Sequence, residues 1–196
     1  MELKKIAVKF FAADSNNPPL TDFIDLFHSW IQATNGVYHD VADYSHMQAS
    51  PGVVLVANDA NVSIDEAENR RGLLYSRKQP LPGTNPQKIL RAFGLALEVC
   101  KKLEAEPSLA KRIKFRCDET LFAVNDRLVA PNDEATFLAL KYDVENAAGG
   151  LYRGSRFSLN HNKDSRQRFS IAIRASESFD LDTLIANVSA AVQSSR

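Results

Sequence analysis

The chain changes hydrophobic period many times. Most of the changes run from one strand-like stretch to the next across a short polar turn, with no helix between. Parallel strands need a crossover of about a dozen residues or more, so a chain written this way must pair its strands largely antiparallel. An α+β architecture follows, a mainly antiparallel (mixed) sheet with about four helices packed on it.

"KKIAVKFF" alternates Ile6, Val8 and Phe10 against Lys5, Ala7 and Lys9, and "AADSNNPP" should stop it, because proline cannot continue a ladder. "VYHDVADY" reads as a strand with His39, Val41 and Asp43 on one face and Tyr38, Asp40, Ala42 and Tyr44 on the other. "GVVLVA" is apolar on both faces, which places it centrally in a covered sheet. "NVSID" and "GLLYSRK" form a hairpin with a longer loop, and "RIKFRC" and "LFAV" form another about Asp118-Glu119-Thr120. "RFSLNHN" and "RQRFSIAIRA" pair about Lys163-Asp164-Ser165.

Helical spacing appears in Leu20, Phe23, Ile24, Phe27, Trp30 and Ile31, and again over residues 86–104 with Ile89, Leu90, Phe93, Leu97 and Cys100. A third helix is expected with Asn132 as cap and Gly149 as stop, and a fourth over 180–193. A domain boundary, if present, would fall in the Pro-rich stretch 80–86. Neither half alone supplies enough elements to cover a sheet, so 1–196 reads as a single domain.

At 196 residues the chain can bury roughly 70% of its unfolded surface without disulfides. Cys100 and Cys117 fall on apolar faces and read as core residues. No apolar run approaches the roughly 20 residues of a membrane span, and a cytoplasmic location is expected. Basic and acidic residues balance at 24 each, which lacks the footprint of a nucleic-acid binder.

"HDVADYSHMQASPG" (39–52) concentrates two histidines, two aspartates and a tyrosine. Asp40 and Asp43 fall on opposite faces, which disfavours a carboxylate pair. His39, Asp43 and His46 form a permissible metal set, yet no HExxH or paired Cys/His spacing supports it. The simpler reading is a turn in which Asp43 and Ser45 bond nearby backbone N–H groups. "DANVSIDEAENR" imitates a calcium loop, but Ile64 holds the place that demands glycine and Arg70 the place that demands glutamate. Arg112, Lys114 and Arg116, with Arg168 and Arg174, form either a basic stripe or a wet, guarded sheet face. "GGLYRGS" follows a helix instead of opening one, so it is not a phosphate loop.

"DVADYSH", "PGVVLVANDANVSID" and "RRGLLYSRK" resemble an uncharacterised family of bacterial proteins, with further likeness in "CKKLEAEPSLAKRIKF" and "NDRLVAPNDEATFLALK". The resemblance implies no activity, cofactor or catalytic residue. The expected function is a non-enzymatic binding or protein-interaction domain without cofactor or resident metal. Its contacts would lie on the 43–52 loop and the 65–78 hairpin, its partner being a protein or a small anionic ligand. A homo-oligomer is among the assemblies to expect, and a nucleic-acid or membrane partner is not. The alternative is an enzyme for a small anionic substrate, with His46 as acid/base, Asp43 orienting it, and Arg71 or Arg77 holding the anion beside Tyr44.

Overall fold

The computed structural model describes residues 1–13, 18–47 and 51–194. Part of the expected strand stop at Asn17-Pro18-Pro19, and Ser50 of the turn before "GVVLVA", lie outside the described residues. In chain order the elements are β1 (Ile6–Ala12), α1 (Leu20–Ala33), β2 (Tyr38–Asp43), β3 (Val53–Ala57), β4 (Ala60–Asp65), β5 (Gly72–Arg77), α2 (Asn85–Ala105), β6 (Phe115–Val124), α3 (Glu134–Leu151), β7 (Phe157–His161), β8 (Ser170–Ala175) and α4 (Leu181–Ser194). The strands make one eight-stranded sheet in the order β2-β3-β4-β5-β1-β6-β8-β7. Every neighbouring pair is antiparallel, as the turn-linked grammar requires. The first strand pairs with one strand from each side of the 80–86 stretch, which is simply the approach to α2.

The four helices cover one face. Ile6, Val8 and Phe10 point into that layer, and Phe10 meets Phe93 of α2 edge to face at 6.4 Å. α1 buries Phe23, Leu26, Phe27 and Trp30, and Trp30 packs on Tyr38 of β2. Among the described residues no helix is long and apolar enough to cross a membrane.

Several local expectations need correction. Residues 115–124 form one strand, not a hairpin. The polar Asp118-Glu119-Thr120 is satisfied inside the sheet, since Thr120 donates its hydroxyl to the Lys9 carbonyl at 2.9 Å and arginines hold the Glu119 carboxylate. A register shift between Phe10 and Ala12 lets Phe115 and Cys117 face the core together with Phe122 and Val124. A second shift between Tyr38 and Asp40 breaks the alternation expected of β2, so Tyr38 and Val41 both pack on the core. β3 is buried on both faces but lies one strand from the edge, not at the centre.

The cap of α3 is Asp133, whose Oδ1 accepts the Thr136 N–H at 2.8 Å, and the helix runs through Gly149. Asn132 is engaged elsewhere, with His161 and the Asp164 carbonyl. Gly150 lies where a Cβ would meet Leu90 and Ala191 at 3.1 and 3.2 Å. A glycine inside α3 therefore serves close approach to α2 and α4, not termination.

Candidate functional site

The structure does not gather the residues expected of an anion-processing centre. Asp43 ends the edge strand β2, and its Oδ1 accepts the Ser45 N–H at 2.8 Å while the Tyr44 N–H donates to Gly52 at 2.9 Å. Those bonds to Ser45, with the nearby charge of His46, hold the Asp43 carboxyl below its ordinary range. Tyr44 and His46 are exposed. Arg71 pairs with Glu66 and the Pro18 carbonyl, whereas Arg77 donates to the Gln79 carbonyl at 3.1 Å. Arg71 precedes β5 and Arg77 ends it, about 20 Å apart at 3.3 Å per residue. Asp43 stands three strands from Leu73, about 14 Å away. Among the described residues no three His, Cys, Asp or Glu side chains are grouped to hold a metal, which removes the His39–Asp43–His46 set.

The basic stripe is also divided. Arg112 pairs with Asp22, Lys114 with Glu104, Arg116 with Asp118, and Arg174 with Glu119. Arg112 and Lys114 precede β6 and are not on a strand.

What the sheet does assemble lies on its helix-free face. Read across the strands in register, Leu74, Lys9, Leu121, Ala172 and Asn160 make one row there. The adjoining row is Ser76, Ala7, Ala123 and Ser170. These side chains are mostly small, so the face leaves a hollow of about 420 Å³. Its floor is Phe11, Leu121 and Ala172, and its rim combines the 67–70 turn with residues 160–168. Hollows of roughly 300–1,000 Å³ with a few polar groups are the usual form of small-molecule sites.

Two ion pairs organise this hollow, Lys9–Asp65 buried on both sides and Arg70–Glu119 buried at the glutamate. Lys9, 2% exposed, donates to Asp65 and to the Arg70 carbonyl at 2.6 Å, which engages two of its three N–H donors. Burial pushes the Lys9 ammonium below its ordinary pKa, and Asp65 pushes back. Arg70 lies 3.7 Å over the Phe11 ring and forks onto both oxygens of Glu119 at 2.9 and 2.8 Å. That fork holds the Glu119 carboxyl low against its own burial, with Arg174 at 3.3 Å reinforcing it. At the other end Arg168 donates to Asn125 Oδ1 at 2.8 Å. Burial works against its charge, and Asp65 and Glu68 favour it.

Each rim is locally rigid for a reason readable in the chain. Glu68 and Asn69 both take positive φ, which turns the chain so that Arg70 delivers its carbonyl to Lys9. The β7–β8 turn is tied by Asp164, whose carboxylate accepts from the backbone and guanidinium of Arg166 and is held down to about 2. Asn132 bonds the Asp164 carbonyl and His161 Nε2, both at 2.8 Å, and the imidazole lies between Phe137 and Phe169. His161 is thus a core residue that braces the turn carrying Asn162, Gln167 and Arg168.

Sequence reasoning missed Lys9, Arg70 and Arg168 as a group. A signal existed: the alternation that sends Ile6, Val8 and Phe10 inward puts Lys9 on the other face between Ala7 and Phe11. Small residues occupy the same parity in Ser63, Ser170 and Ala172. Only the strand order reveals that these positions are neighbours. No protein-family model matches the chain, and neither a curated protein nor a solved structure does.

Proposed function

We propose that this chain is a non-enzymatic binding protein that holds a small anionic molecule in the hollow on the helix-free face of its sheet. The observation that carries this reading is the excess of unfilled donors around an apolar floor. The third N–H of Lys9, the remaining donors of Arg168, and the side chains of Asn160, Gln167 and Ser170 all line one cavity. Such a set complements acceptor-rich groups, carboxylate above all. Of the two carboxylates that line the hollow, Asp65 is engaged by Lys9, and both thiols lie in the core, so among the described residues the hollow brings together no carboxylate–imidazole or thiol–imidazole pair.

The test is a thermal-shift screen of carboxylate- and phosphate-bearing small molecules against the wild type and Leu121→Trp, which fills the floor. A ligand present at a hundred times its Kd stabilises by about 2.7 kcal/mol, which for a chain of this size is a rise of about 5–10 °C in Tm. The variant should fold and lose that rise. A screen with no response, or one in which the variant responds equally, refutes the reading.

A further inference from the structure

The hollow carries an unmatched pair of opposite charges. Glu68 and Arg168 both line it, from opposite rims. Among the described residues the Glu68 carboxylate makes no hydrogen bond or ion pair, and the Arg168 guanidinium bonds only Asn125. Every other charge close by is engaged: Lys9 with Asp65, Arg70 with Glu119. Glu68 and Arg168 form no ion pair with each other, although the Glu68 charge favours that of Arg168: Glu68 sits on a turn of two consecutive positive-φ residues and Arg168 is anchored on Asn125. The same lining includes the apolar Leu121 and Ala172, in one row with Lys9 and Asn160.

We infer that the ligand is a zwitterion of amino-acid or dipeptide size, its ammonium on Glu68, its carboxylate on Arg168 and Lys9, and its apolar part on Leu121 and Ala172. This deepens the carboxylate-binding part of the proposed function and rests on it. The charges explain one another: a purely anionic ligand would meet Glu68 as a repulsive rim, whereas a zwitterion satisfies both ends. A volume of about 420 Å³ accommodates a dipeptide. The donors of Asn160 and Gln167 suit a peptide carbonyl or the second carboxylate oxygen.

Isothermal titration of the full chain tests it, with L-leucine and L-alanyl-L-leucine as probes, each also as its N-acetyl and its C-amide derivative. The expected result is at least a tenfold advantage of the zwitterion over both derivatives. Glu68→Gln, an exposed position, should abolish the preference for a free ammonium and leave that for the carboxylate. Arg168→Met should do the reverse, and Arg168→Lys should restore part of it even where the Met variant folds poorly. Binding of the N-acetyl derivatives as tightly as the zwitterions overturns this inference and leaves the anion-binding reading standing. Binding of neither probe, while other carboxylates or phosphates bind in a Leu121-dependent way, likewise overturns the zwitterion alone. Failure of all probes and of the wider screen overturns both.

Discussion

Asp65→Asn isolates the pair on which the hollow is built. The Lys9 and Asp65 side chains are 3% and 5% exposed, and apart from Asp65 the ammonium bonds only the Arg70 carbonyl. Removing one member of a buried pair typically costs about 3–5 kcal/mol, because it strands a charge in poorly solvated surroundings. Asparagine keeps one acceptor, so about 3 kcal/mol is expected near neutral pH. The pH dependence has a definite sign. Burial already sets the Lys9 pKa below its ordinary 10.5, and loss of Asp65 removes the group that raises it, so the variant's value falls further. Between the folded pKa and the unfolded one, the unfolded chain holds a proton that the native state lacks, and native stability rises by about 1.4 kcal/mol per pH unit. That window opens at lower pH in the variant than in the wild type. The deficit should therefore shrink as pH rises from neutral toward the lysine range. Urea unfolding at both ends of that range measures it, and Lys9→Met combined with Asp65→Leu should recover much of the loss by removing both charges. A deficit under about 1 kcal/mol, or one that stays constant with pH, would refute a desolvated Lys9.

Gly52 and Gly36 both adopt positive φ, but a Cβ at Gly52 would come within 2.0 Å of the Ile64 carbonyl, whereas at Gly36 it meets open space. Gly36→Ala should cost about 1–2 kcal/mol and Gly52→Ala clearly more, and equal losses in urea titrations would contradict the β3–β4 geometry next to Gly52. Burial holds the Cys100 thiol well above its ordinary pKa and pushes that of Cys117 up to about 12. Both should resist an aromatic disulfide reagent in the native state and react at the rate of unfolding; rapid native labelling at neutral pH would show that one of them is accessible. Asp133 caps α3, and its carboxyl is held low by the Thr136 N–H. Its contribution is complete above the ordinary carboxylate range and lost as pH falls through the lowered value. Asp133→Ala should accordingly lower Tm near neutral pH, with the difference closing in acid.

Period and turn chemistry determined much of this protein before any tertiary contact. Ile6, Val8 and Phe10 declare a strand, Phe23, Phe27 and Trp30 a helix, and the short polar turns force antiparallel pairing, because these signals lie within a few residues of one another. Asp43 could likewise be read as a turn former, since its partner Ser45 is two positions on. Where the readings failed, the deciding contact was distant in sequence. Glu119 reads locally as the tip of a hairpin, but Arg70, 49 residues earlier, neutralises it within the sheet. Asn132 reads locally as a helix cap, but His161 and Asp164 occupy its amide. The hollow belongs to this second class. Lys9 and Asp65 are 56 residues apart and become partners only because β5 lies between β4 and β1. A charged side chain in a strand is legible locally as facing away from the core. Whether that outward face meets water or a second charge depends on strand order, which short-range periodicity does not encode.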